Sequence, residues 1–190
     1  MGTLPARPDS EDRPITAPTP LTQNRPTDDT AAADLRNRLF FRLYQTANLL
    51  NKTGTRALEQ HGVTTQQWAI LGALADRRSS GGISVGDLTQ LLMVSRQNLT
   101  GVLARLEARG LIQRMVDEQD KRSRVIGLTD KGRQTWADMQ PQIADFYSAS
   151  LSGFSSADIS AAMHYLEDLR RNFIEVERAQ GESTDRSAEA

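Results

Sequence analysis

The sequence predicts a mainly α-helical protein carrying one small β-hairpin, and three observations predict it. Apolar residues recur at spacings of three and four through most of residues 31–178. Serine or threonine stands before several of these stretches, where an N-cap belongs. Between Ile112 and Leu128 the period changes from helical to alternating, around a polar loop.

The first helix is expected over about Thr30–Glu59, with Leu35, Leu39, Leu43 and Leu50 on one stripe, and an end near Gly62. Thr64 or Thr65 caps the second, which carries Trp68, Leu71 and Leu74. Ser84, with Asp87 three residues on, starts a third helix with Val85, Leu88, Leu91 and Leu92 on its apolar face. Met93-Val94 makes a short turn. Ser95 then caps a fourth helix that closes at Gly110, burying Leu99, Val102, Leu103 and Leu106. Ile112 to Val116 and Arg124 to Leu128 read as paired strands. Thr129 caps a long fifth helix with Pro141 inside it, where a kink is expected. Ser155 and Asp158 start the last helix, whose apolar residues run in near-heptad spacing from Ile159 to Val176. Residues 1–30 hold six of the seven prolines and read as a disordered arm; residues 179–190 read as a flexible tail.

Composition excludes several classes of function. The chain has no cysteine, which removes disulfides, thiolate metal sites and cysteine nucleophiles. Two histidines, far apart, do not suggest a metal site, and no cofactor motif is present. No apolar run reaches the roughly 18–20 residues of a membrane span. A cytoplasmic, non-enzymatic protein is expected. The net charge is −1, yet nine basic residues face five acidic ones between Ser95 and Arg133. A local basic field matters more to phosphate binding than the sum over the chain.

A short helix, a tight turn, a capped helix and a basic hairpin follow in the order of a winged helix-turn-helix. The fourth helix presents Arg96, Gln97, Asn98 and Thr100 in its first two turns, beside the N-cap Ser95. Arginine pairs bidentately with guanine, and asparagine or glutamine with adenine. Gly101 costs up to about 1 kcal/mol in a helix, and a close backbone approach would explain it.

These stretches resemble the MarR family of bacterial transcriptional regulators. The resemblance covers roughly residues 33–176. It is carried by Ile83 to Leu88, by Val94 to Thr100, by Leu106 to Ile112, and by Asp120-Lys121-Arg122-Ser123 followed by Leu128-Thr129-Asp130-Lys131-Gly132. Met93 stands where helix-turn-helix turns commonly have glycine, and Thr89 where alanine is common. The resemblance implies a winged helix-turn-helix DNA-binding lobe at about 63–129 and a helical dimerisation region at about 31–60 and 130–178. It implies that Ser95, Arg96, Gln97, Asn98 and Thr100 lie in the major groove. On the wing, Arg122 would enter the minor groove, Asp120 would orient it, and Lys121 and Arg124 would lie beside it. The implied partners are double-stranded DNA with a near-palindromic operator, a second copy of the chain, and a small effector. An anionic aromatic such as an aromatic carboxylate is the expected effector, with Arg42, Tyr44, His61, Gln67 and Trp68 as candidate contacts. A repressor is the expected function. The alternative is a winged-helix module that binds protein, which would need neither the polar face of the fourth helix nor an arginine-rich wing.

Overall fold

The computed structural model describes residues 28–76, 81–116 and 124–188, with side chains described from Ala31 to Gly181. The proline-rich segment before Asp28 and the hairpin tip with Asp120, Lys121 and Arg122 lie outside the described residues. The order is α1 (Asp28–Ala57), a 3-10 turn (Glu59–His61), α2 (Thr65–Ala75), β1 (Ile83–Ser84), α3 (Val85–Leu92), α4 (Arg96–Ala108), β2 (Ile112–Val116), β3 (Arg124–Leu128), α5 (Asp130–Ser150) and α6 (Ser156–Ala188). The chain forms two units that divide after Thr46, within α1.

In the first unit α1 carries Leu35, Leu39, Phe41 and Tyr44 exposed. Arg38 pairs with Asp34 one turn earlier at 3.3 Å, an exposed pair worth a few tenths of a kcal/mol, roughly.

The second unit holds the core. The inner sides of α2, α3 and α4 meet the sheet and α5, burying Leu71, Leu88, Leu99, Leu103, Leu106 and Met139 completely or nearly so. Each such side chain contributes about 1.5–3 kcal/mol relative to exposure. The helix starts are capped as their residues dictate. Thr64 Oγ1 accepts from Gln67 N while Gln67 Oε1 accepts from Thr64 N, a reciprocal capping box. Ser84 Oγ accepts from Asp87 N, Ser95 Oγ from Asn98 N and Thr129 Oγ1 from Gly132 N. Ser155 and Asp158 exchange cap bonds, and those from Ser155 hold the Asp158 carboxyl below its ordinary range.

The sheet has three antiparallel strands in the order β1-β3-β2. Ile112 faces Leu128 and Val116 faces Arg124 along the hairpin. β1, with Ile83 opposite Ile126, is not foreseen from sequence, because two residues carry no period.

Other boundaries differ modestly. α1 starts at Asp28 and stops at Ala57, because Leu58 turns into the core and Gly62, at φ 60°, closes the 3-10 turn. α6 continues to Ala188, past the expected start of a tail at residue 179, since Gly181 weakens a helix without ending it. Pro141 sits inside a helix assigned from Asp130 to Ser150; it is exposed, where water can take the carbonyl that proline leaves unpaired. No helix among the described residues is long and apolar enough to cross a membrane.

Two backbone positions decide local stability. Met93 ends α3 at φ 51°, the one non-glycine residue with positive φ among those described, and it is half exposed. Left-handed backbone costs an L-residue roughly 1–2 kcal/mol. Met93→Gly is therefore expected to raise unfolding stability by about 0.5–1 kcal/mol, checked by urea denaturation. Gly132 is buried at the start of α5, and a Cβ there would fall on the Leu111 carbonyl. Gly132→Ala is expected to lose roughly 1–3 kcal/mol in the same assay, because that backbone cannot give way without moving the hairpin.

Candidate nucleic-acid interface

The inner face of α4 settles what its outer face offers. With Leu99, Val102, Leu103 and Leu106 buried, the 3.6-residue period turns Gln97, Gly101 and Ala104 outward, flanked by Thr100 and Arg105. All but the partly exposed Gly101 are exposed. A Cβ at Gly101 would meet nothing nearer than the Arg105 guanidinium, at 3.9 Å. Packing within the chain therefore does not require this glycine. What it leaves is a flat, small-residue strip at the middle of a polar face.

Arg96 and Arg105 are exposed and make no ion pair among the described residues. Thr100 Oγ1 donates to Arg96 O at 2.7 Å, so its lone pairs remain for an outside donor. Ser95 engages its hydroxyl in the cap. Its side of α4 is also the positive end of the helix, which favours a phosphate.

Several basic residues in the cluster serve the fold instead. Arg109 donates to the carbonyls of His61 and Gly62 at 2.7 and 2.6 Å, tying the end of α4 to the turn before α2. Lys131 donates to Arg109 O at 2.8 Å, and Arg133 donates to Leu128 O and pairs with Asp130. Arg114 lies 3.4 Å from Glu107, with both half exposed. Arg124 is exposed at the start of β3, opposite Val116, on the strand that leads from the wing tip.

Thr129 explains the Leu-Thr-x-x-Gly pattern. Its Oγ1 donates to Gly110 O at 2.6 Å and accepts from Gly132 N at 3.0 Å, while its N donates to Leu111 O. One residue joins the end of α4, the start of β2 and the cap of α5.

Beside the interface lies an open cleft of about 320 Å³ between α2 and α4, closed on one side by α1 from Ala47 onward. Leu50, Asn51, Ile70, Leu92, Asn98 and Leu99 are among its walls. Asn98 lies about 90° from the outward direction of α4, which places it on the flank facing this cleft.

The expected effector residues are distributed differently. Arg42 and Tyr44 are exposed on α1 in the first unit. His61 is half-buried, with Nε2 3.4 Å from Gln142 Oε1. Gln67 is buried and completes the α2 cap. Trp68 is buried edge-on against Phe146, with ring centroids 5.7 Å apart, and beside Tyr147. None of His61, Gln67 and Trp68 is among the residues lining the cleft.

The helix-turn-helix with its hairpin is matched by known proteins. The model of the MarR family matches residues 61–123. The transcriptional activatory protein BadR of Rhodopseudomonas palustris is 52% identical over 143 residues, covering 74% of this chain and 82% of that protein. The homoprotocatechuate degradative operon repressor of Escherichia coli is 32% identical over 111 residues, covering 58% and 73%. The chain belongs to the MarR family. It is a DNA-binding transcriptional regulator. The fold is also that of a MarR/EmrR-family regulator from Acinetobacter sp. ADP1, with a TM-score of 0.67 at 20% identity over 74% of this chain and 98% of that one.

Sequence reasoning located the outer face of this MarR-family α4 and missed the cleft. Leu50, Ile70 and Leu99 come from three separated stretches, and no local period joins them. The Asn98 flank was legible from the buried positions of α4, since it sits one residue before Leu99. Gly101→Ala separates the two roles of the helix. It is expected to stabilise the fold by up to about 1 kcal/mol and yet weaken DNA binding, measured by thermal melting and by fluorescence anisotropy on a labelled duplex.

Proposed function

We propose that this MarR-family regulator binds as a homodimer to a near-palindromic operator and is released by a small effector. The observation that carries the DNA reading is the outward face of α4, polar at Gln97 and Thr100 and flat at Gly101 and Ala104. Two such helices would occupy major grooves one turn apart, with Arg96, Gln97 and Thr100 at base edges and phosphates and Arg105 at the backbone. Asn98, on the cleft flank, takes a peripheral place in that contact set. Asp120, Lys121, Arg122 and Arg124 supply the wing contact; for the first three the support is the wing signature in the sequence.

The dimer reading is supported by uncovered apolar surface. Within α6, Met163, Leu166, Phe173 and Val176 are all about half exposed or more, and within the first unit so are Leu35 and Leu39. A single chain that leaves such stripes in water is expected to cover them with a partner. We place the protein in the cytoplasm and assign it no catalytic chemistry.

Repression is the primary reading, in keeping with the name of the 32% relative, a homoprotocatechuate degradative operon repressor. Activation is the second reading, favoured by the name of the 52% relative. Deleting the gene distinguishes them: transcription of the target rises for a repressor and falls for an activator.

A mobility-shift titration with the upstream region of its own gene tests the proposal. The expected result is a shift at two protomers per site, with affinity falling linearly in log–log salt dependence. Arg122→Ala is expected to weaken specific binding by roughly 1–3 kcal/mol. A fragment left unshifted at low ionic strength would contradict the reading.

A further inference from the structure

We infer that the cleft between α2 and α4 takes an uncharged ring, such as an aromatic acid masked as an ester or amide, rather than a free carboxylate. The inference rests on the effector reading above and narrows its chemistry. Every described residue that lines the cleft is neutral, and most are aliphatic. Its polar side chains are Asn51, Thr65, Gln66 and Asn98. Thr65 Oγ1 already donates to Asn51 O at 2.7 Å, so its hydrogen is engaged. The side-chain amides of Asn51, Gln66 and Asn98 make no hydrogen bond among the described residues.

Such amides suit a carbonyl or hydroxyl, each offering one donor group and one acceptor. They do not offset the loss of hydration of an ionised carboxylate, which needs a cation beside it. The cation next along α1, Lys52, lies in a different groove with Arg56 and Glu59. The volume, about 320 Å³, is at the small end for ligand pockets and fits a single substituted ring. Because Asn98 belongs to the first turn of α4, a ligand bonded to it acts directly on the helix that faces DNA.

Two probes of one shape, methyl 4-hydroxybenzoate and 4-hydroxybenzoate, test this on the full chain by isothermal titration calorimetry at neutral pH. The ester is expected to bind at least about tenfold more tightly. Gln66→Lys, at an exposed position of α2, is expected to reverse the order, and Ala69→Trp to remove ester binding, with circular dichroism confirming the fold of each variant. Carboxylate binding equal to or tighter than the ester in the unaltered protein overturns the inference. So does an ester that gives no saturable heat, or one that still binds Ala69→Trp. A protein that shifts its upstream fragment but prefers the carboxylate refutes the cleft chemistry alone. One that leaves the fragment unshifted refutes the regulatory reading, whatever the order of the probes.

Discussion

The orientation of α4 is the constraint on which the rest of the molecule depends. Leu99, Val102, Leu103 and Leu106 are all at most 3% exposed, and they fill one side of a thirteen-residue helix. A rigid helix with one side held in a packed core has no freedom to roll, so its opposite side is committed to the surface. Gln97, Gly101 and Ala104 face outward for that reason. Their polarity and small size then make sense as a surface for a duplex.

Fixing the helix along its length needs a second device, and the structure supplies it at the far end. Arg109 holds the carbonyls of His61 and Gly62, Thr129 bonds Gly110, and Gly132 lets α5 approach the Leu111 carbonyl. This junction sets the distance between α4 and the hairpin that follows it. It also accounts for much of the local positive charge. Arg109, Lys131 and Arg133 lie in the basic stretch, but their donors satisfy backbone carbonyls that would otherwise be left without partners at helix and strand ends.

The same helix borders two surfaces. Gln97 and Thr100 lie towards the outside, and Asn98 lies towards the cleft shared with α2. A helix placed this way can have its balance between two arrangements shifted by a ligand with different affinity for each. No long chain of intermediaries is needed, because the cleft wall and the outward side belong to one rigid element. The apolar stripe of α6 is the complementary feature: Met163, Leu166, Phe173 and Val176 stay about half exposed or more in the single chain.

The sequence by itself determined the local features. N-caps at Ser84, Ser95, Thr129 and Ser155, a cap at Thr64 or Thr65 that the structure resolves to Thr64, the glycine end of α4 and the paired strands are short-range effects, set by residues within a turn or a strand of one another. The apolar period of α4 likewise announced which side would be buried. Only the tertiary structure decided matters that depend on distant residues meeting. It added β1 to the hairpin, assigned Arg109 to the turn before α2, put Gln67 and Trp68 into a cap and an aromatic cluster, and built a cleft walled by described neutral residues of α1, α2, α3 and α4. Spacing along a chain records which face a residue takes. It carries no record of what that face will touch, because that is settled by how separated elements pack together.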